Sequence, residues 1–466
     1  MAQGELAAEP GTMRGLAEVA ARIDRLPLTR VQWELAIWTQ IAWGFIIVDT
    51  DGVAARLYPF VWKPQHLISS FEYSTIYAIE VGFGILIGDY LMGLAADRFG
   101  RRPALAGAVL LGGIFLWPFA VLTNFWGLFI ISFFVTLGTG AILSVHAVYS
   151  SEITSPRVRS KVLLSSQGVT ALCSVAVGIM AFYWIPSHYK LYLWILTASL
   201  IALAPILYWR CPESPRWLES HGRHEEARRG LEAIERRVSR YAGPLPPADA
   251  TNYPLISTAS VPFYEVLTNR EYLPRTLVMF TAWFLGYAGI IYGVGAFRIV
   301  YWVDHGAGSH YVFLLGIVIS IFSFILFQIM GHVVGERFER RDVCLFFAIV
   351  FTVCMFAMYA WPNKVIFDTF GLVAAISASQ WLFNMYNYTA VSYPTRIRSA
   401  GVGMSDGVGH IGAWAGGQIA STFYAMGPNH LGWFLMVTIP GALVPALLIR
   451  LAGIKQREAV LEQVST

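Results

Sequence analysis

Apolar runs of roughly 20 residues recur along almost the whole chain, and few architectures can house them. About twelve can be read, at 33–58, 71–96, 103–123, 125–150, 163–185, 189–209, 275–302, 310–332, 343–361, 364–391, 400–425 and 430–452. Each is long enough to cross about 30 Å of hydrocarbon. Inside lipid every backbone N–H and C=O needs an internal partner, which leaves only α-helices and closed barrels. The runs are continuous rather than alternating, so a barrel is excluded. Only 13% of residues are charged and 56% are hydrophobic, against about a quarter charged in soluble domains. The expected fold class is an all-α membrane protein with twelve transmembrane helices.

Basic residues set the orientation. With a cytoplasmic N-terminus, 28 of the 33 Lys and Arg fall in cytoplasmic segments, leaving Arg56, Lys63, Lys190, Arg298 and Lys364 outside. Both termini are therefore expected in the cytoplasm. The net charge of +4 reflects this bias and gives no reason to expect nucleic acid. The N-terminal stretch is polar, without the apolar core of a signal peptide, so the first run is expected to serve as its own insertion signal. Cys173, Cys211, Cys344 and Cys354 have neither zinc-ligand nor disulfide-framework spacing and read as buried fillers. No cofactor or metal is expected.

A second constraint is internal repetition. Asp97-Arg98-Phe99-Gly100-Arg101-Arg102 ends one apolar run, and Glu336-Arg337-Phe338-Glu339-Arg340-Arg341 ends another. Arg157-Val158-Arg159-Ser160 is echoed by Arg396-Ile397-Arg398-Ser399. Both echoes lie 239 residues apart, so the chain reads as two copies of one half. Repeats of this kind in membranes usually enclose a midplane site. The expected division is a cytoplasmic segment at 1–30, a six-helix bundle at 31–210, a cytoplasmic linker at 211–274, a second bundle at 275–452 and a tail at 453–466. Within the linker, Glu219 to Arg240 reads as amphipathic helices on the cytoplasmic face, either touching anionic headgroups or simply solvated.

The Asp-Arg-x-Gly-Arg-Arg core within 88–105 resembles the loop between the second and third helices of the major facilitator superfamily. Pro212-Glu213-Ser214-Pro215-Arg216-Trp217-Leu218 resembles a signature shared by its sugar porters, organic-ion transporters and metabolite:proton symporters. The resemblance covers about residues 30–452. It implies two pseudo-symmetric six-helix bundles, an alternating-access mechanism and a multi-pass protein of a bacterial inner membrane, acting as a monomer.

Charges at the helix ends are candidates for a cytoplasmic gate. Asp97, Arg98, Arg101, Arg102, Glu152, Arg157, Glu213 and Arg216 in the first half, with Glu336, Arg337, Arg340 and Arg341 in the second, can form charge-assisted contacts to facing helix ends. Plain topological anchoring is the other reading of the same residues.

Ionisable groups inside the spans point more directly to function, because a central carboxylate costs roughly 2.5–3.5 kcal/mol on insertion scales. Asp49 and Asp51 follow an apolar run, and Gln40, Gly44, Ile47 and Asp51 share a helical face. Burial would raise the proton affinity of either aspartate; hydration at the outer interface is the alternative. With Glu80 they form the expected proton-coupling set. Acid:proton symporters of the resembled superfamily often carry two aspartates here, spaced three apart rather than two. The run at 163–185 lacks the Gly-Pro-x-x-Gly-Gly pattern of proton-driven drug exporters, which favours uptake.

The expected substrate contacts are Asp51, Gln40, His146, Gln167, Trp283, Tyr287, Gln380, Asn384, Tyr388, Asp406 and His410. Ser377, Gln380, Asn384 and Asn387 make a polar stripe on a helix flanked by Trp381, Tyr386 and Tyr388. His146 could move protons or serve as a hydrogen-bonded structural group. Relatives that move carboxylates commonly carry arginine where this chain has His410 and Ser132. The remaining interior acids, Asp49, Asp51, Glu80 and Asp406, suit an organic cation or zwitterion through ion pairing and cation–π contact. Alternatives are an aromatic carboxylate resembling nicotinate, a sugar or polyol, and a sensor that binds without moving its ligand. A membrane enzyme is disfavoured, since no metal-spaced His cluster, nucleophile elbow or phosphate loop is present.

Overall fold

Each apolar run is helical over the residues that the computed structural model describes, namely 10–50, 53–250, 265–291, 299, 302–303, 306–334, 337–361, 363–393, 398–426 and 431–453. Among these residues there is no strand. The first half comprises α2 (Arg30–Thr50), α3 (Ser70–Ile79) running through a π turn into α4 (Ile85–Phe99), α5 (Arg101–Leu116), α6 (Phe125–Ile153), α7 (Pro156–Trp184) and α8 (Tyr189–Arg210). The second half comprises α11 (Leu273–Gly286), α12 (Ser309–Ile329), α13 (Arg340–Ala360), α14 (Lys364–Ser392), α15 (Arg398–Ala425) and α16 (Leu431–Ala452). Among the described residues, eight helices are long and apolar enough to span a bilayer on length and composition alone.

The helix starts display the repeat. Asn124 accepts the Gly127 N–H at 2.7 Å and so caps α6; Asn363, 239 residues later, accepts the Ile366 N–H at 3.0 Å and caps α14. An asparagine at this position satisfies one of the orphan donors of a helix's first turn. Arg102 donates through Nε to the Tyr208 carbonyl near the end of α8. Its counterpart Arg341 donates to the carbonyls of Arg450, at 3.4 Å, and Gly453, at 3.3 Å, at the end of α16.

The halves meet along two seams. On one, α7 packs on α12, with Gln328 Nε2 donating to the Ser165 carbonyl at 3.0 Å and Phe182 edge-on to His310 at 4.5 Å. On the other, α15 packs on α3, its π turn and α4. Within the second half, Gly412 and Gly416 let α15 approach α11 closely, since a Cβ at either would collide with the carbonyls of Phe284 and Ala288.

Sequence reading treats 1–30 only as a polar segment, whereas Pro10–Asp24 form a helix, α1. It packs against the linker helices α9 (Pro215–Ser220) and α10 (His224–Ala242). Val19 and Ile23 cover Leu231, and Leu26 and Val31 cover Ile234 and Val238. Arg22 donates to Glu235 Oε2 at 2.6 Å and Arg25 to Glu235 Oε1 at 2.6 Å. Arg237 reaches Glu34 on α2 at 2.7 Å. The apolar face of α10 is thus covered by residues 19–31 of the same chain. Its residues do not need lipid to bury them.

Candidate functional site

Two π turns position the central polar groups. Glu80 opens the turn Glu80–Gly84 in the second span, and Tyr287 opens Tyr287–Ile291 in the seventh. Such wide turns shift the backbone register and are frequent at functional sites. The shift leaves a carbonyl near the turn available to a donor from another helix.

The Val81 carbonyl takes such a donor from the opposite half. His410 Nδ1 on α15 lies 2.6 Å from Val81 O. The other ring nitrogen, Nε2, lies 3.5 Å from Asp406 Oδ2 one turn back on the same helix. Asp406 Oδ1 accepts from Tyr287 Oη at 2.9 Å and Tyr386 Oη at 2.8 Å. Those two phenol oxygens are 2.9 Å apart. Asp406 and His410 are 2% and 1% exposed. Trp283 walls the cluster, edge-on to Tyr287 at 5.1 Å and to Tyr386 at 4.7 Å, with Nε1 donating to Thr389 at 2.9 Å. The structure therefore brings together Asp406, His410, Tyr287 and Trp283 of the expected contacts.

Glu80 is fully buried and accepts from Ser132 Oγ at 3.1 Å. A hydroxyl therefore faces this carboxyl at Ser132, the position where the resemblance leads to an expected arginine.

The other expected groups of the first half form a separate layer. Gln40 accepts from Thr170 Oγ1 at 3.0 Å, and Thr39 contacts Ser150 at 3.1 Å. His146 donates Nδ1–H toward the carbonyls of Ile142, at 3.0 Å, and Leu143, at 3.1 Å, and stacks on Trp43 with centroids 4.9 Å apart.

Buried polar atoms in a membrane interior normally have partners, so the exceptions are informative. Gln380 on α14 is fully buried, and neither its Nε2 nor its Oε1 has a partner among the described residues. The same holds for Trp381 Nε1, Ser379 Oγ, Trp43 Nε1 and, on α7, Gln167 Oε1. Asn384 is different: its Nδ2 donates to the Gln380 carbonyl at 2.8 Å.

Tyr388 stands apart from the cluster. A Cβ on Gly453 would run into its hydroxyl, which places Oη at the end of α16. Its repeat counterpart, Tyr149, plays the matching part in the first half, donating to the Pro212 carbonyl at 2.7 Å beyond α8. Tyr388 Oη thus lies beside a helix end, and the tyrosine of α14 bonded to Asp406 is Tyr386, which the sequence marks only as a flank. Asp51 lies outside the described residues, as does the side chain of Asp49.

Among the described residues, the expected gate residues make contacts within one half or with its flanking segments. Arg101 pairs with Asp97 at 2.6 Å and Glu152 at 3.2 Å. Glu213 accepts the backbone N–H of Arg101 at 2.8 Å and of Arg102 at 3.2 Å. Trp217 Nε1 donates to the Asp97 carbonyl at 2.9 Å, and Arg216 lies 3.8 Å from Asp24. Arg98 sits over the Phe99 ring and not in this network. In the second half Arg450 pairs with Asp342 at 2.6 Å, Arg341 holds the end of α16, and Arg337 is exposed. Arg340 begins α13. Glu336 and the Arg157 side chain lie outside the described residues.

Comparison with known proteins places this arrangement. The family described as sugar (and other) transporter matches residues 54–449. The niacin transporter NiaP of Acinetobacter baylyi is 24% identical over 449 residues, covering 93% of this chain and 96% of that one. The 4-hydroxybenzoate transporter PcaK of Pseudomonas putida is 26% identical over 436 residues, covering 92% and 94%. Among solved structures, a partially occluded, inward-open form of the xylose transporter XylE from E. coli superposes with a TM-score of 0.68 at 15% identity, covering 93% and 100%.

Proposed function

We propose, starting from a chain that belongs to the sugar (and other) transporter family and has the major facilitator fold, that it takes up a small aromatic acid together with a proton. That it is a membrane transporter of small organic metabolites, and not an enzyme, follows from the family. Substrate class and coupling ion are the proposal. So is its place in a bacterial inner membrane, as a monomer with both termini in the cytoplasm.

The amide of Gln380, without a partner among the described residues, carries the substrate argument. A primary amide offers a donor and an acceptor side by side. A protonated carboxyl presents the complementary pair and can satisfy both. Indole and phenol rings on α11 and α14 supply aromatic surface nearby, and Trp381 adds an unmet donor. A solute that meets these groups removes a desolvation cost of about 1–3 kcal/mol for each buried group.

The organic cation or zwitterion expected from the interior acids rests on Asp49, Asp51, Glu80 and Asp406, of which Asp51 and the Asp49 side chain lie outside the described residues. Asp406 is already held by Tyr287 and Tyr386, and Glu80 by Ser132. These two carboxyl groups are thus each tied to hydroxyls of the protein. The relatives that move niacin and 4-hydroxybenzoate favour the aromatic acid.

Transport would proceed by alternating access, with the braced halves rocking as bodies about the two seams. The deciding experiment is uptake into proteoliposomes under an imposed inward proton gradient, comparing aromatic acids, aromatic amines and a pentose. Gradient-driven accumulation of an aromatic acid is expected. Accumulation of amines alone would return the reading to an organic cation.

A further inference from the structure

We infer that Asp406 and His410 together form a proton-binding site whose occupancy fastens the seam between α15 and the second span. The inference rests on the transport reading above but names a different proton carrier from Asp49, Asp51 or Glu80.

The argument begins at Val81. A carbonyl oxygen can only accept, so the 2.6 Å contact requires His410 Nδ1 to carry hydrogen. In a neutral imidazole this makes Nε2 the lone-pair nitrogen. That lone pair faces Asp406 Oδ2 at 3.5 Å. With Asp406 ionised and His410 neutral, two lone pairs would oppose each other with no hydrogen between them, in a site closed to water. One added proton resolves this on whichever atom it resides. The couple becomes either Asp406 O–H donating to Nε2 or imidazolium Nε2–H donating to the carboxylate, and its charge changes from −1 to 0.

Proton occupancy then acts on the seam through the same ring. When the couple holds a proton, the imidazole is fixed between Asp406 and Val81, and a ring that carries positive charge is the stronger donor to the carbonyl. When the proton leaves, repulsion from Asp406 drives the ring out of line and weakens the bond across the halves. Tyr287 and Tyr386 keep the carboxylate oriented from α11 and α14.

Other titratable groups flank the couple. Glu80, on the same turn as Val81, is turned to Ser132. Asp89 on α4 has Oδ2 4.0 Å from where a Cβ on Gly403 would be. Tyr77 on α3 faces Gly417, two turns beyond His410. On α16 the charged group is Arg450, paired with Asp342 at the helix end.

The test needs no solute. Gly407 and Leu86 face each other across this seam, a Cβ on Gly407 lying 2.8 Å from Leu86 Cδ1. The pair L86C/G407C in proteoliposomes can be oxidised with copper–phenanthroline at external and internal pH between about 5.5 and 8.5, a range suited to histidine. The same pair carrying H410Q, D406N or E80Q corrects for the pH dependence of thiol oxidation itself. The expected result is that cross-linking, divided by that in the H410Q background, rises several-fold as pH falls. D406N should behave like H410Q, and E80Q should retain the parental rise. Either H410Q or D406N suffices if the other does not fold. A rise that survives in both, or that disappears only in E80Q, overturns the inference. Failure of every aromatic acid to accumulate would instead sink the substrate proposal and leave this result standing.

Discussion

Glu213 Oε1 accepts the Arg101 backbone N–H at 2.8 Å, so the segment after α8 caps the helix that opens the third span. The two motifs that carry the family resemblance are therefore one structural unit. Gly100 completes it: its φ of 108° suits glycine, and a Cβ there would collide with the Glu213 carboxylate. An anionic cap satisfies orphan N–H groups and complements the positive helix end.

Glu213→Ala should therefore destabilise the protein by about 1–2 kcal/mol, the usual worth of a lost helix cap. Gly100→Ala should cost about 1–3 kcal/mol from backbone strain, beyond the steric conflict. Thermal unfolding in detergent followed by tryptophan fluorescence reads both. An unchanged midpoint in Glu213→Ala would mean that the cap is not what holds this turn.

Glu235 gives a pH prediction outside the membrane. Burial opposes its ionisation, but hydrogen bonds and charge from Arg22 and Arg25 more than offset this and hold its carboxyl below the ordinary value of 4.5. A depressed carboxyl contributes stability that is present above the unfolded value and lost as pH falls through the folded one. Contact between α1 and α10 should be constant from neutral pH down to about 5 and loosen only below the ordinary carboxylate range. Hydrogen exchange of residues 15–26 would show this, and Glu235→Gln should raise that exchange at neutral pH.

Gln380→Leu should separate stability from transport. Replacing an amide whose two polar atoms are buried without partners removes a desolvation cost of about 1–3 kcal/mol. The variant should melt at the same temperature as the parent or higher, yet fail to accumulate the substrate. A lower melting temperature with normal uptake would show that Gln380 serves the fold.

Tyr287→Phe and Tyr386→Phe each delete one donor to Asp406 Oδ1. Hydrogen bonds to charged groups contribute about 1.5–3 kcal/mol, so each variant should slow gradient-driven uptake roughly tenfold or more. Because both serve one oxygen, the double variant should fall short of the product of the single effects. Multiplicative losses would place the two phenols in separate roles.

Much of the fold was legible in the chain because lipid leaves the backbone so little choice. Runs of apolar length imply helices, and basic turns imply a side. The 239-residue echo implies two related halves. That echo extends further than the motifs show: Asn124 and Asn363 cap equivalent helices, a signal present in the sequence but hidden in single polar residues. It also relates Tyr388 to Tyr149, and their hydroxyls lie beside equivalent helix ends. The helix at 10–24 is not legible in the sequence because its apolar face is short and is recognisable only against its partner on α10.

The site was legible as a list of residue types but not as a set of partners. Asp406, His410, Tyr287, Trp283 and Gln380 follow from polarity within apolar spans, since a polar group placed there demands a reason. Periodicity locates a face on one helix and says nothing about what another helix brings to it. Tertiary packing alone decided that Asp406 is engaged while Gln380 is not, because hydrogen-bond satisfaction depends on contacts from distant parts of the chain. Packing also set His410 against Val81, where a π turn changes the backbone register that regular spacing assumes. Transfer free energies determined the span architecture from the sequence; the pairing of polar groups required the spans to be assembled.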